Sequence, residues 1–172
     1  MRPMFARRRK IPPLAVFGFA IALAVLIADQ ASKFWILEGL DLDAGGPGSR
    51  VNVLDPWFNL TMVWNRGVSF GMFQADSWWQ RGLLITISLA VSGFLAYWLF
   101  SAERRMQAAA FGLIIGGAVG NVIDRFLYGA VVDFFDFSGL WFPYVFNVAD
   151  AAISIGVAVL ILDLVLHGEG KR

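Results

Sequence analysis

The sequence predicts an all-α membrane protein, with four transmembrane helices and a small β-rich segment on one side. Three observations carry this. Of 172 residues, 58% are hydrophobic and 16% charged, against about 45–50% and about 25% for a soluble domain. Four runs are apolar and nearly free of charge. The basic residues are gathered into three short segments that four crossings would place on one side. The same composition excludes a soluble globular domain, a disordered chain and a collagen-like fibre. With no cysteine and a net charge of +1, neither a disulfide framework, a cysteine zinc site nor an overall field for nucleic acid is available.

The runs are Ile11 to Ala28, Gly82 to Ala102, Met106 to Ile123 and Val148 to Leu166, the last broken only by Asp150 and Asp163. About 20 apolar residues cross a hydrocarbon core, and in lipid the backbone must be satisfied within the segment, which makes these runs helices. The expected spans are about 11–34, 80–101, 106–126 and 147–166 within one domain of 1–172. Short loops rich in Lys and Arg stay cytoplasmic. Arg2, Arg7, Arg8, Arg9 and Lys10 precede the first span, Arg104 and Arg105 join the second to the third, and Lys171 and Arg172 end the chain. Both termini are therefore expected inside and ten of the 13 acids toward the outer side. Trp35, Trp78, Trp79 and Trp141 fit the outer interface and Trp98 the inner one. The basic N-terminus and first apolar run also fit a cleavable signal peptide, but later spans with both ends inside require a first span, so it is read as retained.

Two outer segments, 38–79 and 127–146, complete the chain. Leu40 to Arg50, with Gly45, Gly46, Pro47 and Gly48, reads as a mobile loop. Val51 to Asn65 is rich in β-branched and aromatic residues and reads as extended or a small sheet. Leu127 to Asn147 carries seven aromatic rings between Phe134 and Phe146 and is expected on or in the interface, where it could form a lid over a site.

Ionisable residues at membrane depth are costly and mark candidate sites. Asp29 and Lys33, at i and i+4, are either a helix-end ion pair with Lys33 snorkelling to the interface or part of a site. Gly112, Gly116 and Gly120 form a groove for a helix backbone, either a packing partner or a substrate helix. Asn121, Asp124 and Arg125 share one face at the outer end; a structural Asp–Arg pair is the plain alternative. Asp133 sits among Val and Phe, and no basic residue follows Arg125 before Lys171. Asp150 opens the fourth span, where it could complement the helix dipole, but Asn147 fits the cap better. Asp133 and Asp150 can meet near the outer face, and two close carboxylates share a proton, supplying a base and an acid. The only histidine, His167, lies at the inner end, away from these acids. No clustered metal-ligand motif or phosphate-binding loop is present.

Five segments in order resemble the signal peptidase II family. They are Asp29-Gln30-Ala31-Ser32-Lys33; Asn65-Arg66-Gly67-Val68-Ser69-Phe70-Gly71; Gly116-Gly117-Ala118-Val119-Gly120-Asn121-Val122-Ile123-Asp124-Arg125; Val131-Val132-Asp133-Phe134; and Phe146-Asn147-Val148-Ala149-Asp150. Val68 departs mildly from the small residue often found there. The resemblance implies a catalytic pair of Asp133 and Asp150. Around it would stand Asp29, Lys33, Asn65, Arg66, Asn121, Asp124, Arg125 and Asn147, with no metal or cofactor. It implies removal of the signal peptide from bacterial prolipoproteins, just before a diacylglyceryl-modified cysteine, at the outer face of the inner membrane. Membrane lipids and globomycin-type inhibitors would be partners, and nucleic acid would not. The implied fold is the four-helix bundle with a small extracytoplasmic β-rich segment and an interfacial helix. A proton-coupled transporter would instead spread polar residues through the membrane depth, and a non-enzymatic assembly protein would need its aspartates for folding alone.

Overall fold

A computed structural model describes residues 11–68, 73–74 and 77–167. The basic residues at 2–10 and 171–172 and the Ser69-Phe70-Gly71 part of the second motif lie outside it. Four helices are long and apolar enough to cross a membrane: α1 (Pro13–Phe34), α2 (Trp78–Leu99), α3 (Arg105–Leu127) and α4 (Val148–His167). Pro12 and Pro13 open α1, where a missing N–H costs nothing, and α1 continues through one π-helical turn, Trp35–Gly39. At the start of α2 the Ser77 N–H donates to Gln80 Oε1 at 3.1 Å, so the helix begins at Trp78 and not at 80.

Small residues put α3 at the centre. Of its most apolar window 67% is buried, against 22%, 17% and 22% for α1, α2 and α4. A Cβ at Gly112 or Gly116 would overlap the carbonyl oxygens of Gly18 and Ala22 on α1, and one at Gly117 the carbonyl of Ala149 on α4. The glycine groove is thus filled by the protein's own helices and is not open to a substrate helix. Away from α3, the other helices expose Phe17, Leu23, Ile27, Ile87, Phe94, Ile155, Ile161 and Leu164, a surface suited to lipid.

The connections form an antiparallel sheet in the order β1 (Arg50–Leu54), β2 (Phe58–Asn65), β5 (Val131–Asp136), β6 (Val145–Phe146); β3 (Gly67–Val68) and β4 (Phe73–Gln74) make a separate pair. One face packs Leu60, Met62, Val132 and Phe134 against Ile36 and Leu42. Side chains alternate along a strand, so Asp133 falls on the other face, and its register partner is Val63.

Two expectations change here. The Leu40–Arg50 loop is tied down: the Gly48 N–H donates to Met62 O at 3.0 Å, the Met62 N–H donates to Ser49 O at 2.8 Å, and Leu42 is buried. The aromatic stretch from 127 to 146 supplies two strands and a 3-10 turn, Ser138–Leu140. Its rings pack together, with Phe137 stacked on Phe146 at 5.8 Å, because β5 pairs with β2 on one side and β6 on the other. Phe134 is core, so the lid expected over Phe134 to Phe146 reduces to the exposed stretch from Leu140 to Tyr144. Outside the four long helices, the described helical residues are the π-helical turn Trp35–Gly39 and the 3-10 turn Ser138–Leu140.

Candidate active site

Polar side chains from α1, α3, α4, β2 and β5 converge at one end of the bundle. Lys33 is the hub. Its ammonium lies 2.8 Å from Asp29 Oδ2, 2.7 Å from Asp124 Oδ2 and 3.2 Å from Asn121 Oδ1. An ammonium has three protons, and each has an acceptor here. Lys33 is 3% exposed. It therefore does not snorkel, because the two carboxylates and the amide give its charge more than the interface would.

Asp29 also reaches across the bundle. Its Oδ1 accepts the Ala149 N–H at 2.9 Å, an otherwise orphaned donor in the first turn of α4. Gly120 makes room, since a Cβ there would overlap the Asp29 carboxylate. Asp124 accepts the Val132 N–H at 3.1 Å and Gln30 Nε2 at 3.0 Å, which fixes the start of β5 to α3. The anticipated Asp124–Arg125 pair does not form. Asp124 pairs with Lys33, and Arg125 donates to the carbonyl oxygens of Gly67 at 3.1 Å and Asn121 at 3.4 Å.

Three asparagines then hold the two candidate catalytic carboxylates. Asn147 Nδ2 donates to Asp133 Oδ1 at 2.6 Å, while its Oδ1 accepts the Asp150 N–H at 2.9 Å as the cap of α4. Asn65 Nδ2 donates to the other oxygen of Asp133 at 2.9 Å. Asn121 Nδ2 donates to Asp150 Oδ1 at 2.9 Å, and its own oxygen accepts from Lys33 and from Asn147 Nδ2 at 3.3 Å. An amide has one acceptor and two donors, so Asn121 and Asn147 each connect the lysine side of the cluster to an aspartate.

Asp133 is 1% exposed. Burial pushes its carboxyl up to about 8, and the Asp150 carboxylate pushes the same way; the hydrogen bond from Asn65, the Lys33 charge and the hydrogen bond from Asn147 oppose the rise without cancelling it. At neutral pH Asp133 therefore holds a proton, the behaviour of one member of an interacting carboxylate pair.

Asp150 faces open space. With Asn121 and Arg125 it lines a cleft of about 300 Å³ between α2, α3 and α4, whose other walls are mainly Leu84, Ile87, Ala118 and Ile153. The site thus combines a protonated buried acid with a second carboxylate on an apolar cavity, which suits hydrolysis of a bond presented from the lipid side. Among the described residues, no group of acids and histidine is arranged to hold a metal ion.

Of the ten residues singled out in the sequence, nine join this cluster. Arg66 does not: it is exposed and makes no side-chain hydrogen bond or ion pair among the described residues. Two members were not singled out, Gln30 and Gly120. Gln30 Nε2 also donates to Asp29 Oδ2 at 3.1 Å; its signal was an amide at membrane depth beside Asp29. Gly120 looked like one more packing glycine.

The family model described as signal peptidase (SPase) II matches residues 21–166. The chain belongs to the signal peptidase II family. It is accordingly a peptidase, and its four apolar helices make it a multi-pass protein of the bacterial inner membrane. Its similarity to the lipoprotein signal peptidase of Caulobacter vibrioides is 51% identity over 155 residues, 90% of this chain and 89% of that one. The lipoprotein signal peptidase of Methylorubrum extorquens is 50% identical, with 85% and 84% covered. Among solved structures, a bacterial membrane enzyme determined by the in meso method at 2.3 Å resolution superposes with a TM-score of 0.76 at 29% identity, covering 90% of this chain and 91% of that one. The matched residues 21–166 include every residue of the cluster, from Asp29 to Asp150.

Proposed function

We propose that this protein is an aspartic endopeptidase that removes the signal peptide from diacylglyceryl-modified prolipoproteins, cutting just before the lipidated cysteine, with Asp133 and Asp150 as its catalytic pair. The observation that carries the reading is the unequal setting of the two carboxylates: Asp133 is sealed and protonated, and Asp150 lines the cleft. A water between them loses a proton to Asp150 as its oxygen attacks the scissile carbonyl carbon, while Asp133 gives its proton to the carbonyl oxygen. The resulting gem-diol collapses as Asp150 passes its proton to the leaving nitrogen and Asp133 recovers one from a diol hydroxyl. The products are a signal peptide ending in a carboxyl group and an amine on the lipidated cysteine. Both carboxylates end as they began.

In this reading Lys33, Asp29, Asp124, Gln30, Asn65, Asn121, Asn147 and Arg125 position the pair. Arg66 is left as a surface contact for substrate or lipid. The site faces the outer side. Support comes from the position of Asp124 at the far end of α3 from Arg104 and Arg105, residues that the charge distribution assigns to the cytoplasm. Globomycin-type inhibitors would occupy the same cleft.

The test is a cleavage assay with purified protein and a diacylglyceryl prolipoprotein, read by mass. Wild type should release the signal peptide, and Asp133→Asn and Asp150→Asn should not. Absence of cleavage by wild type, or normal cleavage by either variant, overturns the proposal.

A further inference from the structure

Below Asp150 the cleft becomes apolar except at two points, Ser88 on α2 and Ser154 on α4. A hydroxyl in an apolar helix ordinarily bonds back to the carbonyl one turn earlier. Two on α2 do so: Thr86 Oγ1 donates to Gly82 O and Ser92 Oγ to Ser88 O, each at 2.8 Å. Ser88 and Ser154 do not, and neither makes any other side-chain hydrogen bond among the described residues. Of the described serine and threonine hydroxyls on α2 and α4, the two without partners are the pair that lines the cleft, on opposite walls.

A substrate brings the missing acceptor. A signal segment arrives as a helix, but a peptide bond can reach a pair of carboxylates only if the chain around it is drawn out. Unwinding a helix end releases carbonyl oxygens from their intrahelical donors, and in hydrocarbon no water replaces them. The diacylglyceryl group carries ester carbonyls into the same apolar space. Ser154 follows Asp150 by four residues on one helix face, about 6 Å deeper. An extended chain rises about 3.3 Å per residue, so a donor there serves a carbonyl about two residues from the scissile bond.

We propose that Ser88 and Ser154 are substrate-binding donors of the intramembrane cleft, hydrogen-bonding a substrate carbonyl that has lost its partner when the scissile bond is drawn up to Asp133 and Asp150. The acceptor is a backbone carbonyl of the unwound signal segment or an ester carbonyl of the lipid. This inference rests on the proposed peptidase function and assigns the polar recognition within its cleft.

The experiment compares wild type, Ser88→Ala, Ser154→Ala and the double variant on two substrates, a diacylglyceryl prolipoprotein and its dialkyl ether counterpart, which lacks ester carbonyls. Thr86→Val, which removes a hydroxyl already bonded to its own helix, is the control. Each alanine variant should lose about 3- to 10-fold in kcat/KM, the range for one neutral hydrogen bond, with Thr86→Val unchanged and Ser88→Thr recovering activity. A loss of the same size on the ether substrate identifies the peptide carbonyl. An ether substrate that wild type already cleaves less well, with no further loss in the variants, identifies the ester. Equal kcat/KM for wild type and all serine variants on both substrates overturns the inference while wild-type cleavage leaves the peptidase reading standing. Failure of wild type to cleave either substrate overturns the peptidase reading itself.

Discussion

Replacing Asp133 by Asn separates chemistry from folding. The side chain is buried and accepts Nδ2–H donors from Asn147 at 2.6 Å and Asn65 at 2.9 Å. Its carboxyl is held up at about 8, so at pH 7 the folded protein contains a neutral acid, and a neutral amide changes no charge. The substitution turns one of two acceptors into a donor facing another donor, at a cost of about 1–2 kcal/mol. That lowers the midpoint of thermal unfolding by a few degrees. The rate effect is of a different size, because the only proton donor to the substrate oxygen is gone: kcat should fall at least about 10³-fold. The pH dependence has a definite sign. An acid that must be protonated loses activity as pH rises through its folded value, so wild-type kcat/KM should fall on an alkaline limb near pH 8. Stability follows the same group. A folded value of about 8 against an ordinary 3.8 means that the folded state binds the extra proton between those values. Stability is then greatest at the acid end of that window and declines toward pH 8. In Asp133→Asn this contribution to the decline disappears. The measurements are mass-detected cleavage in detergent between pH 5 and 9, and thermal midpoints of both proteins over the same range. A folded Asp133→Asn within tenfold of wild-type kcat would refute the reasoning, as would a variant that does not fold.

Three further perturbations have firm expectations. Lys33→Met leaves Asp29 and Asp124 buried without their cation and should destabilise by about 3–5 kcal/mol, seen as a large drop in thermal midpoint; Lys33→Arg should not restore it, because a planar fork cannot reproduce three separate contacts. Gly117→Ala pushes a methyl against the Ala149 carbonyl, costing about 1–3 kcal/mol and displacing the first turn of α4; kcat should drop more than stability does, with kcat unchanged as the contrary result. At the opposite end, Arg104 is bidentate to Asp163, with contacts of 2.8 to 3.1 Å, and Asp163 is 2% exposed while Arg104 is 38% exposed. Arg104→Ala leaves a buried carboxylate with His167 alone, 3.3 Å away, and should lower the midpoint more than Asp163→Ala, which frees an arginine that water can reach; the reverse order would contradict the reading.

The helices, the extended character of Val51 to Asn65 and the crowding of polar residues at one end were legible because they depend on local signals: uncharged length, β-branched composition and charge placement. Asn147 was legible as a cap for the same reason, since capping is decided within one turn. What failed depended on distant partners. Lys33 was open to a surface reading because its second carboxylate, Asp124, is 91 positions away. The Asp124–Arg125 pair was attractive only while Lys33 was out of view. The glycines of α3 announced a close approach, but only packing showed that α1 and α4 fill it. The strand pairing of the aromatic stretch is out of view in the sequence because its edge partner, β2, lies more than 60 positions earlier.

By itself the sequence determined four helices long and apolar enough to span a membrane, with polar residues crowded near one end of them, because solvation in lipid is set residue by residue. The tertiary structure decided which carboxylate is sealed and protonated and which meets the cleft, and that Lys33 binds Asp29, Asp124 and Asn121 together. Those outcomes depend on burial and on distances of 2.6 to 3.3 Å between residues far apart in the chain, and electrostatic and hydrogen-bond energies are fixed by such distances.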